Sequence, residues 1–64
     1  MDLMVRKKSG AWQVVCFGGD TVSCEDREHA LTLAESIARL EGGAIHIYDE
    51  EGRLSSMVAF GDEG

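Results

Sequence analysis

The chain has 64 residues, of which 44% are hydrophobic and 28% are charged, and its formal net charge is −6. This length allows one domain, residues 1–64, and the composition argues against a disordered chain. Because an acidic surface repels nucleic-acid phosphates and anionic membranes, we expect neither as a direct partner.

Two strands are predicted at the start of the chain. Residues 3–7 alternate between two faces, and the following Lys8-Ser9-Gly10 favours a turn in which Gly10 adopts a positive φ. Residues 11–17 form the strongest strand pattern, because they are rich in apolar and β-branched side chains.

The second strand is apolar on both faces. Trp12, Val14 and Cys16 share one face, while Val15 and Phe17 share the other. A sheet with one helix has one covered and one bare face, so this pattern suggests that another chain covers the bare face. The alternative is a central strand that tolerates a few exposed apolar groups.

The only sustained helical pattern spans residues 26–43, after a short edge strand predicted at residues 21–24. Apolar side chains recur there at three- and four-residue steps, which predicts an amphipathic helix. We expect Asp26 to cap its first turn and Gly42 to end it. The predicted buried side comprises Ala30, Leu33, Ala34, Ile37, Ala38 and Leu40, with Leu31 at its margin.

Two more strands are predicted after the helix. In the first, residues 44–48, Ile45 and Ile47 share one face and His46 and Tyr48 share the other.

A turn at residues 49–52 joins that strand to the last one, residues 53–60, and residues 61–64 are expected to be a frayed tail. The order ββαββ, with a possible short extra strand before the helix, predicts an α+β fold. We expect a two-layer sandwich in which one helix packs on a mainly antiparallel sheet.

Several of these positions resemble the small bacterial family called "domain of unknown function 2188". The matching features are Trp12-Gln13-Val14, a Gly-rich turn, Asp26, Ala30, Ala34, Ala38, Glu41-Gly42 and Glu51-Gly52-Arg53. The resemblance spans residues 12–60 and implies the fold described above, but no activity, cofactor or site.

No pattern of catalytic residues is present. Cys16 and Cys24 lack Cys-x-x-Cys spacing, so buried free thiols are the favoured interpretation. A zinc site would require these cysteines to converge with His29 and His46, and a disulfide would require their strands to pair. His46 neighbours Tyr48 without a patterned carboxylate or nucleophile. We therefore predict no enzyme activity, no metal and no cofactor.

The first functional hypothesis is a non-enzymatic module that binds proteins. A chain of this size buries only about 60% of the surface that its unfolded form exposes, and small domains often gain stability from a partner subunit. The bare face would pair with a second copy, as a homodimer or higher oligomer, or with another protein. The candidate interface comprises Trp12, Val14, Cys16, His46 and Tyr48.

Two alternatives remain open. In one, the acidic surface mimics nucleic acid and blocks a basic protein cleft, as inhibitors from phages or mobile elements do, although acidity also simply favours solubility. The candidate acidic surface comprises Glu28, Glu35, Asp49, Glu50, Glu51 and Asp62. The other is a thiol or metal site at Cys16 and Cys24. Without a signal pattern or a long apolar run, the expected location is cytoplasmic.

Overall fold

The computed structural model describes residues 2–60, in which one helix packs on a five-stranded sheet. The elements are β1 (Leu3–Lys8), β2 (Ala11–Cys16), β3 (Thr21–Cys24), α1 (Arg27–Glu41), β4 (Gly43–Tyr48) and β5 (Leu54–Phe60). The α+β class is confirmed, and a short strand does precede the helix. The predicted frayed tail lies outside the described residues.

The strands lie in the order β3-β2-β1-β4-β5. Neighbouring strands are antiparallel except for the central pair, in which β1 and β4 are parallel. The prediction of a mainly antiparallel sheet is therefore wrong, because the sheet is mixed. The reason is the crossover: α1 returns the chain to the end of the sheet where β1 begins, so β4 runs in the same direction as β1.

The β1–β2 hairpin decides which side chains share a face. Ser9 and Gly10 have φ values of 53° and 81°, and a two-residue turn with two positive φ values matches the twist of paired strands. The resulting register places Val5 opposite Val14. A shift of one residue would exchange the buried and exposed sides of a strand.

Helix α1 begins and ends as its sequence predicts. The Asp26 carboxylate accepts a hydrogen bond from the His29 N–H at 2.8 Å, which satisfies one unpaired amide of the first turn. At the other end, Gly42 has a φ of 77° and its N–H donates to the Ala38 carbonyl at 2.7 Å. Both caps are local interactions, so they could be predicted without the rest of the fold.

The core lies between α1 and one face of the sheet. Alanines at i, i+4 and i+8 form the buried helix stripe, and their small side chains let the helix lie close to the strands. Leu40 is 87% exposed, so its predicted burial is wrong; it projects about 120° away from Ala34 around the helix. The buried residues are Leu3, Val5, Trp12, Val14, Cys24, Ala30, Ala34, Ala38, Ile45 and Ile47.

Candidate functional site

The face of the sheet that points away from α1 is a candidate interaction surface, which we call the helix-free face. Its side chains alternate along each strand with those of the core. They are Met4, Arg6, Lys8, Ala11, Gln13, Val15, Thr21, Ser23, Ala44, His46, Tyr48, Leu54, Met57 and Ala59. None of these residues is an Asp or a Glu, although the chain contains 12 acidic residues.

A row of largely apolar side chains crosses the helix-free face. The strand register places Val15 beside Met4, Met4 beside His46, and His46 beside Met57. Phe17 extends this row, because its ring stacks on His46 with 6.1 Å between centroids. Phe17 and Met57 are exposed and the other three are half-buried. The row therefore offers apolar area to a partner.

Asp2 fixes one corner of this surface. One oxygen of its carboxylate accepts the Ala44 N–H at 3.1 Å, and the other lies 3.4 Å from the His46 Nε2. Its backbone carbonyl accepts the Phe17 N–H at 3.2 Å. The Ala44 N–H, followed by the His46 side chain, holds the pKa of Asp2 below its ordinary value. These contacts position the stacked rings of Phe17 and His46.

The other end of the helix-free face is polar and basic. The Arg6 Nε donates a hydrogen bond to the Gln13 Oε1 at 3.2 Å. Lys7 lies beside this end, with its Nζ 3.9 Å from the Glu50 Oε1. A shallow depression of about 290 Å³ is lined by Met4, Arg6, Lys7, Tyr48 and Gly52. Three of the six basic residues of this acidic protein, Arg6, Lys7 and Lys8, thus lie on β1 at this end of the apolar row.

The predicted acidic residues lie elsewhere. Glu28 and Glu35 are exposed on α1, on the layer opposite the helix-free face. Glu28 is in the first turn of the helix, where its charge interacts favourably with the helix dipole. Asp62, the last member of the predicted acidic set, lies outside the described residues.

The carboxylates of the turn between β4 and β5 contact groups in or near that turn. The Asp49 carboxylate accepts the N–H groups of Glu51 and Arg53 at 2.9 and 3.0 Å. These hydrogen bonds, that from Arg53 first, hold the pKa of Asp49 below its ordinary value. Glu51 lies 3.8 Å from the Arg53 guanidinium, and Glu50 is the partner of Lys7. The Asp49 carboxylate therefore stabilises the turn, whereas the exposed ion pairs of Glu50 and Glu51 contribute little to stability.

The structure divides the five predicted interface residues between two faces. Trp12 and Val14 are buried beneath α1, and Cys16 lies on the same side of the sheet. His46 and Tyr48 lie on the helix-free face and are half-buried. The prediction that Trp12 and Val14 lie on the bare face with His46 and Tyr48 is therefore wrong. Alternation identifies the residues that share a face, but it does not identify the face that the helix covers.

Sequence reasoning missed four members of the apolar row. The alternation in β2 groups Val15 with Phe17, but the predicted interface includes Trp12, Val14 and Cys16 from the opposite face of that strand. Met4 and Met57 carried no signal of their own, because their neighbours across the sheet depend on the pairing of β1 with β4 and of β4 with β5.

The two cysteines are free and far apart. Cys16 is half-buried and Cys24 is buried. Their strands do pair, but Cys24 lies opposite Trp12, four positions from Cys16 and roughly 13 Å away along the strand. Disulfides require Cα atoms within about 7 Å. Within residues 2–60, no group of three or more His, Cys, Asp or Glu side chains is arranged to hold a metal ion.

Comparisons of the chain with protein-family models, curated proteins and solved structures gave no match. The resemblance to the "domain of unknown function 2188" family stays a prediction. In the described part of the chain, the helix is too short and too polar to cross a membrane.

Proposed function

We propose that the protein is a non-enzymatic interaction module that self-associates through its helix-free face. The observation that supports this proposal is the composition of that face, which combines an apolar row with strand positions that carry no carboxylate. Asp2, at its corner, is already engaged by the Ala44 N–H and by His46. The rest of the described surface is rich in Asp and Glu.

The distribution of charge favours contact through this face. Two copies with a net charge of −6 each repel one another. Contact through the outer side of α1 would bring Glu28 and Glu35 close to their own copies. Contact through the helix-free face brings apolar groups together, and the charged strand residues there are Arg6 and Lys8. This face is therefore the one where self-association meets the least acidic repulsion.

The small core gives self-association a physical benefit. Among the described residues, three of the ten buried hydrophobic residues are alanines, which bury little area each. Burial of apolar surface contributes about 25 cal/mol per Å². Covering the row from Phe17 to Met57 with a second copy adds burial that the isolated chain cannot achieve.

The size of the face predicts a weak association. Five strands with a spacing of about 4.8 Å are about 19 Å wide, and six residues extend about 20 Å. The projected area is roughly 400 Å², which is about half of what each partner buries in a standard interface. We therefore expect a dimer that forms in the micromolar range or above.

The test is the sedimentation mass as a function of concentration. We expect the wild-type mass to rise above the 6.9 kDa of the monomer. Val15→Lys places a charge in the apolar row and should weaken association by about tenfold or more. Leu40→Lys is the matched control, because it adds the same charge at a helix position that is already exposed, and it should leave association unchanged.

Two results would contradict the proposal. One is a wild-type mass that stays at 6.9 kDa up to high micromolar concentration. The other is equal dissociation by Leu40→Lys and Val15→Lys, which would indicate a general effect of charge. Phe17→Ser provides a second variant of the row if Val15→Lys does not fold, and circular dichroism checks the fold of each.

A further inference from the structure

Strand β5 forms an edge of the sheet that lacks the usual protection. It contains seven residues, none of which is charged or a proline. Leu54, Met57 and Val58 are 56%, 58% and 41% exposed. An edge strand displays unpaired N–H and C=O groups, and proteins commonly protect such edges with charges, prolines or bulges. An uncharged, apolar edge of this length is suited to pairing with another strand.

A bulge protects only the beginning of β5. The register shifts between Ile47 and Tyr48, so that Ile47 pairs with Ser56 and Tyr48 pairs with Leu54. From Ser56 to Phe60 the ladder is regular. Five consecutive residues therefore keep the regular ladder geometry that strand pairing requires.

Helix α1 does not cover this strand. The helix packs against β1, β2, β3 and β4, and the Arg39 guanidinium reaches only the end of β5, where it lies 5.7 Å from the centre of the Phe60 ring. Val58 lies on the helix side of the sheet, opposite the buried Ile45, yet it is exposed. A second strand thus has access to β5 without displacing the helix.

The opposite edge is built differently. Strand β3 has four residues, and the carboxylates of Asp20, Glu25 and Asp26 lie next to its ends in the sequence. Two copies of β3 would bring like charges together, which disfavours pairing. The two edges of the sheet therefore differ in length, and the residue directly before β5 is the basic Arg53. On the described residues, β5 is the edge that two acidic chains can share.

We propose that β5 pairs antiparallel with β5 of a second copy, about a two-fold axis near Met57 and Val58. This inference rests on the proposed self-association and identifies the edge through which it begins. A two-fold axis makes a strand complementary to itself: each copy offers the donors and acceptors that the other requires, and uncharged residues meet uncharged residues. Two five-stranded sheets then form one continuous sheet.

Edge pairing leaves the helix-free face exposed and doubles its area. The joined face has a projected area of roughly 800 Å², which matches the area that each partner contributes to a standard interface. The edge-paired dimer is therefore the unit whose helix-free face is large enough for a stable contact.

Amide hydrogen exchange followed by NMR distinguishes the edge from the face. In an unpaired edge strand, every second N–H points to solvent and exchanges fast, whereas edge pairing protects it. When about 90% of the chains are dimeric, we expect the outward N–H groups of residues 56–60 to exchange about tenfold more slowly than in the dilute protein. Those of β3 should exchange at the same rate in both samples.

Val58→Lys tests the same contact by mutation. Val22→Lys is the matched control, because Val22 is 39% exposed on the other edge strand and on the same side of the sheet. We expect Val58→Lys to abolish the protection of β5 and to leave only the weak association through the helix-free face. Val22→Lys should preserve the wild-type mass and the protection of β5. Met57→Lys gives a second edge variant.

Each outcome supports or overturns one of the two contacts. If the β5 amides of the dimer are unprotected and Val15→Lys dissociates the dimer, edge pairing is overturned and the contact through the helix-free face is supported. Protected β5 amides with a dimer sensitive to Val58→Lys but not to Val15→Lys would support the edge and overturn the face. A third outcome is a sedimentation mass that keeps rising with concentration and that Val22→Lys lowers. It would indicate head-to-tail pairing of β5 with β3, and it would overturn the two-fold dimer.

Discussion

The two faces of the sheet use apolar residues for different purposes, and adjacent valines on β2 show this most clearly. Val14 is fully buried beneath α1, whereas Val15 is half-buried on the helix-free face. Both belong to the same apolar run in the sequence. An apolar pattern on both faces of a strand therefore does not mean that one core surrounds it.

The two outer surfaces also differ in charge. The solvent side of α1 carries Glu28 and Glu35, whereas the described strand positions of the helix-free face carry no carboxylate. A net charge of −6 thus describes the chain but not the face proposed to bind.

The largest expected effect comes from truncating the two valines separately. Val14→Ala removes buried methyl groups and leaves a cavity, so we expect it to lower the free energy of unfolding by about 2 kcal/mol or more. Val15→Ala should cost less than about 1 kcal/mol in the monomer. Urea unfolding at low micromolar concentration measures both. Equal losses would show that the two faces are buried alike.

Removing the N-cap of α1 destabilises the helix that covers one face of the sheet. Asp26→Ala leaves the His29 N–H without its acceptor, and we expect a loss of about 1 kcal/mol in the free energy of unfolding. Asp26→Asn preserves an oxygen acceptor and should remain close to the wild type. If both variants lose the same stability, the carboxylate charge matters and the hydrogen bond does not.

Salt should strengthen self-association. Raising the ionic strength from about 0.05 M to about 0.5 M screens the repulsion between acidic copies without weakening apolar contacts. We expect the dimer constant from sedimentation to rise a few-fold. The double variant Glu28→Gln, Glu35→Gln carries less negative charge, so its copies repel one another less even at low salt. Its dimer constant should therefore depend less on salt.

The phosphate-mimic hypothesis predicts the opposite salt effect, because a contact between carboxylates and a basic cleft weakens as salt screens it. Within the described residues, Asp49, Glu50 and Glu51 already contact groups in or near their own turn. Association that decreases with salt would favour this alternative over the helix-free face.

The smallest effect is expected at the corner held by Asp2. Its pKa in the folded protein lies below the ordinary value of 3.8, so the carboxylate stabilises the fold above that pH and the contribution disappears as the pH falls through the lowered pKa. Asp2→Asn should therefore lower the urea midpoint at pH 7, and the difference from the wild type should shrink below about pH 4. An NMR titration that places the pKa of Asp2 at or above 3.8 would contradict this expectation.

The sequence by itself determined the features that depend on neighbouring residues. Asp26 and Gly42 mark the ends of the helix because capping involves groups within one turn. Gly10 adopts a positive φ because a tight hairpin requires it. The alternation along β2 and β4 correctly identified the residues that share a face.

Only the tertiary structure decided how the strands are arranged and which face the helix covers. The parallel contact of β1 with β4 joins segments about 40 positions apart, and no local pattern encodes that pairing. The same alternation in β2 is compatible with a helix on either side. Trp12 and Val14 entered the core, and Val15 and Phe17 did not, because the crossover through α1 has a fixed hand relative to the sheet.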